Sequence, residues 1–184
     1  GFLMPGFNSA TGYGYGVDVP FYWAIAPDYD ATITPRFTTR QGVLLQGEFR
    51  QRLIDGAYQI RAYGIDQLDR GAYAGLPGDR QFRGGIDTKG QFALNDKWTW
   101  GWNVAAATDK FFFNNYRVRT ETLGISYYKE SVSTAYLTGK GERSWFDMRG
   151  YYFRPQLTVD WQKQQAMVHP ILDYDRRFSN PYFG

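Results

Sequence analysis

Apolar and polar residues alternate with a period of two along most of this chain, the spacing of a strand with one dry and one wet face. In residues 28–40, Tyr29, Ala31, Ile33, Pro35 and Phe37 share one face, and Asp30, Thr32, Thr34, Arg36, Thr38 and Arg40 share the other. Residues 15–26 place Tyr15, Val17, Val19, Phe21, Trp23 and Ile25 together. Similar splits mark 43–53, 82–94, 98–107 and 151–161. Weaker ones mark 57–68, 120–129, 132–139 and 166–176, and residues 1–8 are short but strand-like. The pattern predicts roughly eleven strands.

Strand length separates a soluble sheet from a membrane sheet. Soluble strands run about 5–6 residues, and several of these run to about twice that. A strand of ~12 residues is ~40 Å long and, tilted by ~45°, stands ~28 Å tall. That matches an apolar band ~25 Å high. With the first strand taken as running outward, one end of the sheet receives the short turns Ala26-Pro27, Asp55-Gly56, Asn95-Asp96-Lys97, Lys129-Glu130-Ser131 and 162–165. The other end receives the long connections 69–81, 108–119 and 140–148, with short ones at 9–12 and 40–42. Short turns at one end and longer loops at the other is the outer-membrane arrangement. The prediction is an all-β fold: an antiparallel, up-and-down transmembrane β-barrel segment, an incomplete barrel with no second domain in 1–184.

Composition sharpens this picture. Aromatic residues make up 19% of the chain, and Tyr and Trp favour membrane interfaces. The mean hydropathy of −0.52 speaks against spanning helices, not against a barrel whose faces alternate. No secretory leader is legible at residues 1–6 and no initiator Met is present, so the sequence reads as a fragment or processed piece. Cysteine is absent, which removes thiol chemistry. The net charge of +3 permits anionic partners without requiring one.

Candidate chemistry is sparse. The single histidine, His169, has no second His or Cys for a metal site and no triad partners, and reads as a strand residue. Asp28-Tyr29-Asp30 and Asp173-Tyr174-Asp175 are explained by strand alternation without a bound cation, and no carboxylate pair stands out for acid–base work. Neither metal, cofactor, nucleic acid nor catalysis is expected. Trp98, Trp100 and Trp102 share a face and read as an aromatic girdle at a membrane interface. Phe111-Phe112-Phe113 sits in a long outer connection, and two positions stay open for it: over the lumen or against lipid.

Residues 1–5 (GFLMP), 20–42 (PFYWAIAPDYDATITPRFTTRQG) and 47–50 (GEFR) resemble the opening of the barrel of the LptD family, which assembles lipopolysaccharide. The likeness runs to about residue 52, departing at Phe21, Ala24 and Asp28, where the family has Tyr, Asn and Asn. Residues 169–174 (HPILDY) are similar to a segment further along some family barrels.

The resemblance implies the first strands of a large outer-membrane barrel. The partners it implies are lipopolysaccharide, outer-membrane lipid, an LptE-like lipoprotein plug, and a periplasmic LptA-like bridge acting through a jellyroll absent from this sequence. It implies that Pro5 and Pro20, which cannot donate to a ladder, weaken a seam that opens laterally. A strand-start or bulge proline is the plainer alternative. Asp30, Thr32, Thr34, Arg36, Glu48, Arg50, Arg52 and Arg61 should line the lumen. They would serve either as a polar path for a phosphorylated headgroup or as a solvated wall of internal ion pairs. A general porin and a soluble carbohydrate-binding β-protein are the competing functions.

Overall fold

The computed structural model describes residues 1–118, 130–155 and 167–177. They form one antiparallel sheet of eleven strands: β1 (Gly6–Ala10), β2 (Gly14–Asp18), β3 (Phe21–Ala26), β4 (Tyr29–Thr38), β5 (Gly42–Leu53), β6 (Gly56–Asp66), β7 (Phe82–Ala93), β8 (Trp98–Ala107), β9 (Glu130–Lys140), β10 (Ser144–Pro155) and β11 (Met167–Arg176). Each neighbour in the sheet is a neighbour in sequence, except that β2 and β3 both pair with β4. The sheet is open, with β1 and β11 at its edges. The expected all-β, up-and-down antiparallel architecture, not closed into a full barrel, is what the described residues form.

The register fixes the two faces. Phe37, Ile33 and Ala31 on β4 stand opposite Val43, Gly47 and Phe49 on β5, and Ile86 on β7 stands opposite Ala62 on β6 and Ala106 on β8. These residues form the apolar face, and it is uncovered: Phe7, Tyr15, Trp23, Phe37, Leu45 and Phe82 are all more than half exposed. A contiguous apolar surface of this extent is not left in water by a stable monomer. The buried core lies on the opposite, inner face, where a one-turn helix, α1 (Phe112–Asn115), packs over Tyr13, Leu44, Tyr63 and Ile65.

Three details of the sequence reading are corrected. The single strand expected at 15–26 is broken at Val19-Pro20 into β2 and β3. Pro20 has no N–H to continue the ladder. The long loop expected at 140–148 is a tight turn, closed by the Gly141 N–H donating to the Ser144 carbonyl at 2.8 Å, and β10 already begins at Ser144. Glu130, read as part of a turn, opens β9. The strand expected at 120–129 lies outside the described residues.

Because β8 pairs directly with β9, every later connection changes ends relative to that reading. The 141–143 turn joins the short-turn end, and β10 leads into β11 from the long-connection end.

Candidate functional site

The inner face carries a polar ladder that grows directly out of the alternation. Asp30, Thr32, Thr34 and Arg36 on β4 stand opposite Arg50, Glu48, Gln46 and Leu44 on β5, and Glu48 in turn faces Arg61 on β6. All eight residues expected on the lumen side therefore share one face, with Arg52 one step further along β5 opposite Ala57.

Their charges are largely matched. Arg36 Nε lies 2.7 Å from Asp18 Oδ1, Arg50 Nη2 lies 2.8 Å from Asp30, and Arg61 Nε lies 2.8 Å from Glu48 with Asp87 at 3.5 Å. Arg52 is exposed and makes no ion pair among the described residues. The half-exposed Arg50–Asp30 pair contributes at most ~1 kcal/mol.

A cavity of about 840 Å³ opens between this wall and the α1 segment. Its lining includes Asn8, Asp18, Arg36, Arg61, Phe113 and Arg117. Beside it, Asn8 donates to Asp18 at 2.7 Å and accepts from the Tyr13 hydroxyl at 3.0 Å, which ties β1 into the same network.

The roof of the cavity is the part that sequence reasoning left open. Phe112, Phe113 and Tyr116 are almost wholly buried against the inner face, so Phe112 and Phe113 of the aromatic triplet lie over that face and not against the apolar one. The segment is fastened by a buried ion pair. Arg83 Nε and Nη2 each donate to the Asp109 carboxylate at 2.8 Å, with the side chains 0% and 1% exposed. Arg83 also donates to Asn115 and Gln67, and its guanidinium lies 4.7 Å from the Tyr73 ring centre and 5.3 Å from that of Tyr116. Asp109 additionally accepts the Phe111 N–H, which starts the turn.

Burial pushes the Tyr116 and Tyr73 hydroxyls up, so both remain protonated at physiological pH, and Tyr116 donates to Gln67 Oε1. The signal for this roof was present in the sequence as three consecutive phenylalanines inside a polar connection, but its partner Arg83 looked like any inward strand residue.

The phenylalanine pair can come this close to the sheet only because Gly85 has no side chain: a Cβ there would sit 2.8 Å from the Phe113 ring. Gly85→Val is expected to lift the segment at a cost of about 1–3 kcal/mol. Limited trypsin digestion at Lys110 and Arg117 of the folded protein measures this, and cleavage no faster than in the unaltered chain would contradict it.

On the apolar face, ring contacts run across β4 to β8 in one row at the short-turn end. Tyr29 meets Phe49, Phe49 meets Tyr58, Tyr58 meets Phe92, and Phe92 meets Trp100 and Trp102, with centroids 5.5–6.5 Å apart. Trp98 adds Phe146 of β10 at 5.2 Å. The three tryptophans expected together are thus part of a longer row.

The prolines fall on one level. The β1–β2 register places Pro5 beside Val19, the β2–β4 register places Val19 beside Pro35, and Pro20 follows at once. The Leu3 N–H donates to the Pro20 carbonyl at 2.9 Å and the Val19 N–H to the Pro35 carbonyl at 3.0 Å. Neither proline can return the bond. Between the Gly6–Asp18 and Phe2–Phe21 pairs, three residues of the first strand face two of the second, so the register slips by one.

The chain matches the family model described as LptD: LPS transport system D over residues 81–184. The chain belongs to the LptD family. It is similar to the LPS-assembly protein LptD of Alkalilimnicola ehrlichii, 31% identical over 88% of this chain and 22% of the relative. The counterpart from Pseudomonas aeruginosa is 29% identical over 96% and 18%, and that from Acinetobacter baumannii 35% over 62% and 13%. The chain therefore spans about a fifth or less of the length of these LptD relatives.

Proposed function

We propose that this chain forms the opening strands of an outer-membrane barrel that assembles lipopolysaccharide into the outer leaflet, with β1 to β3 as one lip of a lateral gate. The observation that carries the gate is the row formed by Pro5, Pro20 and Pro35 across three neighbouring strands, where ladder bonds are missing and the register slips. Each lost bond is worth about 0.5–1.5 kcal/mol, and lipid offers no water to replace it.

The exposed apolar face and its aromatic row support a bilayer setting, with Trp98, Trp100 and Trp102 in the girdle at the short-turn end. The inner wall of Asp30, Thr32, Thr34, Arg36, Glu48, Arg50, Arg52 and Arg61 is the aqueous side that a phosphorylated headgroup would pass. An LptE-like lipoprotein would fill the completed barrel, and an LptA-like periplasmic bridge would deliver lipid to it.

Replacing Pro5 and Pro20 together with alanine in the full-length protein restores two donors. Arrival of lipopolysaccharide at the cell surface is expected to fall several-fold while the amount of folded barrel stays level. Export at the normal rate would refute the gate.

A further inference from the structure

A second hollow lies on the inner face at the short-turn end, and the registers build it from two adjacent rows. Arg50, Gln59, Lys89 and Asn103 stand opposite one another in turn across β5 to β8. One step nearer the short turns, Arg52, Ala57, Gln91, Gly101 and Tyr136 do the same across β5 to β9. Ala57 and Gly101 carry almost no side chain, so the second row dips between its large members. The result is a cavity of about 510 Å³, a size typical of small-ligand sites.

Its charge differs from that of the wall above it. Three cations, Arg50, Arg52 and Lys89, line the hollow, and no described carboxylate does. Arg50 is held by Asp30 and Glu48, whereas Arg52 is exposed and makes no ion pair among the described residues. In the larger cavity, Arg36 and Arg61 are matched by Asp18 and Glu48 of the same lining. Surplus positive charge beside side-chain amides suits a phosphorylated sugar. Guanidinium and ammonium groups take the phosphate, and the amides of Gln59 and Gln91 take hydroxyls.

Tyr136 supplies the remaining element. Its hydroxyl donates to Gln91 Oε1 at 2.9 Å, from β9 to β7. A Cβ on Gly101 of β8 would lie 2.6 Å from the ring carbon that bears this hydroxyl. The side chain therefore runs along the sheet, over the intervening strand. The bond occupies the oxygen of Gln91 and leaves its amide nitrogen as the donor.

We propose that this hollow is an entry subsite for the phosphorylated sugar headgroup of the lipid that the barrel assembles. Arg52 and Lys89, with Arg50 beside them, receive a phosphate, and the Tyr136 ring supports the sugar. Short turns mark the periplasmic end of such a barrel. A headgroup arriving from that side meets the surplus cations before the balanced ion pairs further along. This inference rests on the lipopolysaccharide reading above and adds which part of the headgroup is recognised, and by which residues.

The test measures equilibrium binding to the purified full-length protein in detergent, with lipopolysaccharide and with the same lipopolysaccharide stripped of its phosphates. Arg52→Gln with Lys89→Gln is expected to weaken binding of the phosphorylated form at least about tenfold and to leave that of the stripped form within about twofold. Arg52→Gln alone, at an exposed position without an ion pair, should weaken it about threefold, and carries the test if the double variant folds poorly. Arg70→Gln removes one charge from the long connection between β6 and β7 and should change nothing. An equal loss there would mean that net charge, and not the hollow, binds the lipid.

Undiminished binding by the double variant overturns the subsite; the assembly role then stands as long as the unaltered protein still delivers lipopolysaccharide to the cell surface. If the unaltered protein binds neither form and its depletion leaves surface lipopolysaccharide unchanged, the assembly reading falls as well. A photo-crosslinking residue in place of Gln59, in cells, identifies the occupant. Capture of lipopolysaccharide is the expected result. Capture of a protein chain alone would give the hollow to a protein partner and overturn the subsite.

Discussion

Arg83→Met is expected to release the segment that roofs the inner cavity, at a cost of about 3–5 kcal/mol. The size follows from what is left behind. Asp109 is 1% exposed and takes both of its close ion-pair bonds from Arg83. Removing the guanidinium strands a carboxylate away from water, with the Phe111 N–H as a remaining donor. The rings of Tyr73 and Tyr116 lose their cation at the same time.

The double substitution Arg83→Met with Asp109→Asn removes both charges and should recover much of the loss, because a neutral buried pair carries little desolvation penalty. Proteolysis at Lys110 and Arg117, combined with the double-mutant cycle, reads the coupling. A single substitution no worse than the double would show that the ion pair does not hold the roof.

The second large effect belongs to the other face. Ile33→Arg is expected to cost about 2–4 kcal/mol of folded barrel in the membrane, the penalty for a cation in the hydrocarbon near mid-strand. Ile33 is 44% exposed at the centre of β4, between Phe21 and Gly47 on the neighbouring strands. Thr34→Arg, one residue on, turns the same side chain toward the inner cavity, where about 840 Å³ is open to receive it. That change should stay within about 0.5 kcal/mol. The heat resistance of the folded form, compared between the two variants, distinguishes the faces. Equal effects would mean that the apolar face does not lie in lipid.

These two tests divide along the line between what could be read and what could not. The alternation of Asp30, Thr32, Thr34 and Arg36 with Ala31, Ile33, Pro35 and Phe37 was complete in the sequence, and the register confirms that each set shares a face. A period of two leaves no other choice once one face is dry. The family likeness at residues 1–52 was equally legible, because it rests on a long run of particular residues. The strand parity after β8 was not. Gly141-Glu142-Arg143 looks like the start of a long loop, and only the pairing of β9 with β10 shows that it is a three-residue turn.

The sequence by itself therefore determined the class of fold, the two faces of the sheet and the residues on each, since side-chain direction in a strand follows from position alone. Tertiary structure decided everything that depends on contacts distant in sequence. It brought Arg83 to Asp109 across 26 residues, laid Phe112 and Phe113 over the inner wall, and gathered three turns around Gln41. It also set Pro5, Pro20 and Pro35 on one level around Val19, an arrangement invisible until registers are known. Local periodicity fixes which way a residue points; what it meets there is fixed only when strands far apart along the chain come into register.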